Sequence, residues 1–355
     1  NAILLGAHFC LSTSEIRVMI FMALYQRFGA FEHVVDGALG TREVALPLLL
    51  SWFCRAGESE VRAALRPGGR LVASGLVRQL EHTPRPVPWY LSDRICSALM
   101  ADVQDVDELT ALVFPSVPDP EAEWRDFEGL GRDADLMRDL LARALAAGTP
   151  GVNILLYGPP GTGKTEFAKV LACEVGARLR AVGETDEFGG EPSRRERVNE
   201  LRLAGRMLSS RRDTILLFDE MEDLFAALQR GLHLDRPSKV HTNRQLEMNP
   251  IPVIWTTNSL EDCDPAFRRR MTFSALMRPP SGRARARIWQ RLEQRHAVCL
   301  DSAALSRLAE TYDQGPAQVS DAMRVARLCD GGEAMVSRLL DAAARLAKGG
   351  ADAAP

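Results

Sequence analysis

The chain has 355 residues, 46% of them hydrophobic, and a formal net charge of −3, enough apolar content to bury a core in two or three domains. The mild negative charge argues against a strong phosphate-backbone binder, so nucleic acid is not the expected partner. The apolar runs Ile16 to Leu24 and Ala45 to Phe53 carry Arg17, and Pro47 with Ser51, and neither is long enough to span a bilayer. Seven scattered cysteines, with no Cys-x-x-Cys pair, read as free thiols of a reducing, cytoplasmic protein.

Residues 1–114 read as a mostly helical domain, with apolar-periodic segments from Ser14 to Phe28, Thr41 to Cys54, Ser59 to Leu65 and Ser92 to Met100. Pro84, Pro86 and Pro88 break regular structure before Trp89, and His8, His33 and His82 stand alone. This part contains no catalytic cluster and is expected to choose a partner. The prolines 115, 118 and 120 mark a linker over 115–128. A nucleotide domain is expected over 129–278, beginning with the amphipathic helix Arg132 to Ala147. Short apolar runs follow at Val152 to Tyr157, Leu179 to Val182, Thr214 to Phe218, Val253 to Thr257 and Thr272 to Met277, alternating with helical segments. That alternation predicts an α/β fold with a mainly parallel sheet. After Pro279-Pro280, helices are expected from Arg283 to Arg295, Ser302 to Thr311, Pro316 to Leu328 and Glu333 to Ala347. They make an all-α lid over 279–348, followed by a tail over 349–355.

The chemistry concentrates in Gly158-Pro159-Pro160-Gly161-Thr162-Gly163-Lys164-Thr165, directly after the first strand. Glycines let the backbone N–H groups turn inward as an anion nest, and the following helix presents its positive end to phosphate. Lys164 is expected on the β- and γ-phosphates of ATP and the Thr165 hydroxyl on Mg²⁺, with Glu166 grouped in the same nucleotide-binding set. The strand Ile215 to Phe218 ends in Asp219 and Glu220. Asp219 suits the Mg²⁺ shell, directly or through water, and Glu220 can orient and deprotonate the attacking water. The strand ending at Thr257 delivers Asn258, whose amide can hydrogen-bond the γ-phosphate and the lytic water, or serve as a turn former.

The ordered set Gly158 to Thr165, Phe218 to Glu220, Trp255 to Asn258 and Asp264-Pro265-Ala266-Phe267-Arg268-Arg269-Arg270, followed by a helical lid, resembles an AAA+ ATPase of the P-loop NTPase superfamily over about residues 130 to 345. The resemblance makes the first two motifs Walker A and Walker B and places Asn258 at the sensor-1 position. It implies a ring of copies, commonly a hexamer, with ATP between neighbours. An arginine finger reaching the neighbour's site then falls on Arg269 or Arg270, with Arg270 preferred. Phe188-Gly189-Gly190 aligns with a substrate-gripping pore loop or is a surface turn. Gln318 stands where many relatives carry a sensor-2 arginine, and Arg324 reads as a solvated residue.

The expected function is hydrolysis of ATP to ADP and phosphate, coupled to remodelling or disassembly of a protein partner. Two alternatives stand beside it. One is a nucleic-acid-dependent ATPase using Arg194, Arg195 and Arg197 or Arg283, Arg285 and Arg287; the other is an ATP-bound switch with little turnover, against which Glu220 argues.

Overall fold

The structure, a computed structural model, describes residues 1–40, 45–80, 85–183, 193–222, 246–261 and 263–347. They group into two compact units that do not follow chain order. The first holds Asn1–Ser116 and Arg180–Leu216, with a short piece ending at Ile251. The second holds Val117–Leu179, a piece starting at Leu217, and the described residues from Pro252 on.

The first unit begins with helices α1 (Ala2–His8), α2 (Thr13–Arg27), α3 (Gly29–Gly40), α4 (Leu46–Cys54), α5 (Glu58–Leu65) and α6 (Arg70–Ala73). Helix α2 starts at a capping box, in which the Ser12 N–H donates to Glu15 at 2.8 Å and the Glu15 N–H donates back to Ser12 Oγ at 3.2 Å. Its Val18, Met19, Phe21 and Met22 are fully buried and form the centre of this unit. Helix α3 was not among the expected segments, because Gly29, Gly37 and Gly40 depress its intrinsic propensity. Burial of Val35 and the Tyr25 hydroxyl donating to Asp36 at 2.7 Å hold it instead. The prolines before Trp89 separate two short antiparallel strands, β1 (Val77–Gln79) and β2 (Trp89–Leu91), in the register Val77 with Leu91. Helices α7 (Asp93–Met100) and α8 (Val106–Val113) follow.

Strand β3 (Asn153–Tyr157) pairs in parallel with two later strands, β6 (Val253–Thr257) and β7 (Phe273–Leu276). With β4 (Arg178–Ala181) and β5 (Thr214–Phe218) the sheet order is β4-β5-β6-β3-β7, the parallel arrangement expected from the continuous apolar runs. Trp255 of β6 packs on Phe218 and Phe267 at ring distances of 4.8 and 5.2 Å, and its indole N–H donates to the buried Asn153 side chain at 3.0 Å. Helix α9 (Arg132–Ala147) precedes β3, α10 (Lys164–Glu174) follows it, and α11 (Arg194–Met207) lies between β4 and β5.

The stretch expected as linker is partly structured. Residues Trp124–Leu130 form a 3₁₀ turn whose Trp124 and Phe127 lie 6.0 and 4.9 Å from the Phe167 ring. Proline punctuation foretells a break in regular structure but not that the aromatics after it will find an apolar partner. Beyond β6, the short α12 (Pro265–Arg268) leads to β7, and the lid follows as α13 (Gly282–His296), α14 (Ser302–Thr311), α15 (Pro316–Leu328) and α16 (Glu333–Ala347). Trp289, Val319, Met323, Val336 and Leu340 form the lid's own core. Among the described residues no helix is long and apolar enough to cross a membrane.

Candidate functional site

The loop from Gly158 to Gly163 joins the end of β3 to α10, and its first glycine is required by crowding. A Cβ on Gly158 would sit 2.2 Å from the Met277 carbonyl oxygen, at a φ of +146°. Pro159, Pro160 and Gly161 are exposed, while Thr162 is buried and its hydroxyl closes the loop on the Pro159 carbonyl at 2.9 Å. Lys164 is buried, and its ammonium donates to the carbonyls of Gly158 at 2.8 Å and Pro159 at 3.0 Å and to Asn258 Oδ1 at 2.8 Å. Burial pulls its pKa below the ordinary lysine value, with Glu222, Asp219 and Glu220 pulling the other way. All three hydrogen-bond acceptors are neutral, so the buried cation stands ready for anionic partners.

Asp219 follows β5 directly and gathers two hydroxyls: Thr165 Oγ1 donates to Oδ2 at 2.8 Å and Thr256 Oγ1 to Oδ1. The same Thr256 hydroxyl accepts the Glu220 backbone N–H at 2.9 Å, and the Met221 N–H donates to the Thr256 carbonyl at 3.0 Å. These bonds stitch the turn after β5 to β6. Glu220 is exposed and lies at φ +49°, a left-handed conformation uncommon outside glycine and one that collects at functional sites. Glu222 accepts the Asn258 backbone N–H. The strand ends therefore bring together Lys164, Thr165, Asp219 and Asn258, with Glu220 beside them.

Two further members, Thr256 and Glu222, escaped the sequence reading. Thr256 is one of two adjacent buried hydroxyls, with Thr257, at the end of a strand that begins apolar, which is the signal that could have marked it. Glu222 is one of three acids in four residues, a run that reads as a solvated turn until its backbone partner is seen.

The remaining predicted residues separate. Glu166 turns to the residues before the 3₁₀ turn, accepting the Glu121 N–H at 2.9 Å and pairing with Lys169 at 2.6 Å. Arg270 is half-buried and donates to the Ala266 carbonyl at 2.6 Å, whereas Arg269 is exposed. Gln318 is exposed, and Arg324 pairs with Asp321 at 3.0 Å. Phe188 lies outside the described residues. Several arginines of the nucleic-acid alternative are engaged within the chain. Arg197 is buried, Arg285 donates to the Tyr312 carbonyl at 2.8 Å, and Arg287 pairs with Asp126 at 3.4 Å.

A cavity of ≈ 330 Å³ opens beside the phosphate loop, with Phe127, Leu130, Met277, Ile288 and Pro316 in its apolar walls and Thr162 at its loop side. Its size and lining suit a small planar ligand group. Thr165 and Asp219 offer one hydroxyl and one carboxylate at a single point, a set that fits Mg²⁺, which takes few protein ligands and completes its shell with phosphate and water. Among the described residues no three His, Cys, Asp or Glu side chains stand together as a self-sufficient metal site.

A parallel sheet whose β3 runs through a glycine-rich loop into a helix, with an acid at the end of β5, defines a P-loop NTPase. Residues 154–279 match the family model described as ATPase family associated with various cellular activities (AAA). It is similar to ATPase family gene 2 protein homolog B of Bos taurus, with 34% identity over 193 residues, 50% of this chain and 25% of that protein. A second relative is an AAA ATPase forming ring-shaped complexes from Corynebacterium efficiens, 27% identical over 56% of this chain and 42% of that protein. The chain thus spans between a quarter and about two fifths of these relatives' lengths. The fold is also that of the FIGL-1 AAA domain crystallised with ADP, at TM-score 0.50 and 18% identity over 70% of this chain and 98% of that one.

Proposed function

We propose that this protein binds ATP with Mg²⁺, hydrolyses it to ADP and phosphate, and couples turnover to remodelling of a protein partner. The observation that carries the reading is the convergence of Lys164 and Asn258 with the Thr165–Asp219 pair at the strand ends, beside a cavity of nucleoside size. Lys164 exchanges neutral acceptors for the β- and γ-phosphate oxygens. That exchange frees Asn258 Oδ1 to orient the attacking water. Thr165 and Asp219 would hold the metal, which would neutralise charge on the phosphates when bound. Glu220, exposed and held in its turn by Thr256, takes the proton from that water as its oxygen bonds to the γ-phosphorus and ADP departs.

Arg269 is the side chain we assign to a neighbouring copy's site, because Arg270 is engaged with its own chain at Ala266. This reading takes the chain to act in a ring, as the Corynebacterium relative's name states of that protein; a hexamer is the size the family resemblance favours. A protein rather than a nucleic acid is the proposed partner, since Arg197, Arg285 and Arg287 are used internally. A reducing, cytoplasmic setting fits seven cysteines that form no disulfide. The test is phosphate release from ATP by the purified, assembled protein with and without Mg²⁺. Metal-dependent turnover is expected, and none under any assembly condition refutes the reading.

A further inference from the structure

The cavity beside the phosphate loop is bounded by two segments that grip each other through charge. Arg287, Arg291 and Arg295 are spaced four residues apart and line one face of α13. Arg291 donates to the Asp126 carboxylate, and Arg287 Nε reaches the same carboxylate at 3.4 Å while its Nη2 donates to the Arg125 carbonyl at 2.5 Å. Arg295 pairs with Glu121, and the Ser281 hydroxyl donates to Glu128 at 2.7 Å. The Asp126 side chain is only 1% exposed. It also accepts the Glu123 N–H at 2.8 Å, and its neighbour Phe127 rests on Phe167 of the phosphate-loop helix. The carboxylate that anchors the lid is therefore one residue from the ring that touches α10.

The lid meets the phosphate loop a second time through bare backbone. A Cβ on Gly315, just before α15, would fall 2.9 Å from the Gly161 carbonyl oxygen and 3.1 Å from its Cα. Only glycine permits that approach.

We propose that the 121–130 segment and α13 form a nucleotide-retaining clamp, latched by Arg287 and Arg291 on Asp126, that sets how fast ADP leaves the cavity. The proposal rests on the ATPase reading. The choice of ions over apolar groups matters physically. A buried carboxylate facing two guanidiniums recovers much of its desolvation cost when it opens to water, so the engaged and released arrangements lie close in free energy. An apolar seam of the same size would only be lost on opening.

The test is the dissociation rate of a fluorescent ADP analogue from the full chain, chased with unlabelled ATP. Arg291→Gln is expected to speed release by about tenfold or more. Arg291→Lys should recover part of the retention, because the charge stays and the planar fork is lost. Arg307→Gln, which removes an exposed pair with Glu333 elsewhere in the lid, should leave the rate unchanged. If Arg291→Gln does not fold, the double variant Asp126→Asn with Arg291→Gln removes the buried charge together with its partner, and the same acceleration is expected. Release at the wild-type rate from either variant, or equal acceleration by Arg307→Gln, overturns the clamp alone. Wild-type protein that holds no nucleotide overturns the reading beneath it.

Discussion

Charged and polar groups crowd two places in the nucleotide-binding unit, and they are arranged on opposite principles. At the strand ends, Lys164 is buried against three neutral oxygens, and Asp219 collects the hydroxyls of Thr165 and Thr256. In the lid, Asp126 faces two guanidiniums that neutralise it. The first arrangement is unfinished and gains from a metal-bound polyanion; the second is already complete, with its carboxylate neutralised by its own chain. A buried charge left with neutral partners is thus a better pointer to chemistry than a salt bridge, however buried.

The sharpest break in that comparison comes from the arginines. Arg269→Ala is expected to lower turnover by on the order of 10³-fold or more with nucleotide binding retained, the loss seen when an arginine finger is removed. Arg270→Ala should cost less, because its guanidinium is occupied at Ala266; steady-state phosphate release on both variants, with equal ring assembly verified, decides between them. Next in size is Glu222→Ala, which strips the acceptor from the Asn258 N–H. An unsatisfied backbone donor there should loosen Asn258 and lower kcat by about tenfold; an unchanged kcat would show that the β5 turn is held by Thr256 alone. The smallest effect belongs to Arg295→Gln, since the Glu121 pair is exposed on both sides. Surface pairs contribute about 0–1 kcal/mol, so analogue release should change by about twofold, and less in high salt. A change as large as that of Arg291→Gln would erase the distinction between rim and latch.

The same contrast explains how much could be read from the chain alone. The phosphate loop is contiguous and its residue types are dictated by φ angles and close approach, so Gly158 to Thr165 were legible at once. Asp219 and Asn258 were legible as the polar ends of apolar strands. The lid latch was not, because Asp126 and Arg291 are 165 residues apart, and i, i+4 arginines on a helix look like a solvated face. Strand and helix spans from Arg132 on matched the structure within a residue or two, since periodicity and burial agree there. In the first unit, α3 and the β1–β2 pair were missed where glycine and proline hide elements that tertiary packing sustains. The Arg269 and Arg270 pair could not be separated from sequence, because what distinguishes them is a hydrogen bond to a carbonyl.

The central claim, that the strand ends form an ATP-hydrolysing site, is tested most directly by measuring ATP affinity and turnover together on Glu220→Gln. The proposed roles predict ATP bound as tightly as by the wild type and turnover lowered by about 10²- to 10⁴-fold, the range associated with removing a general base. Weakened binding with turnover of the remaining complex intact would contradict it.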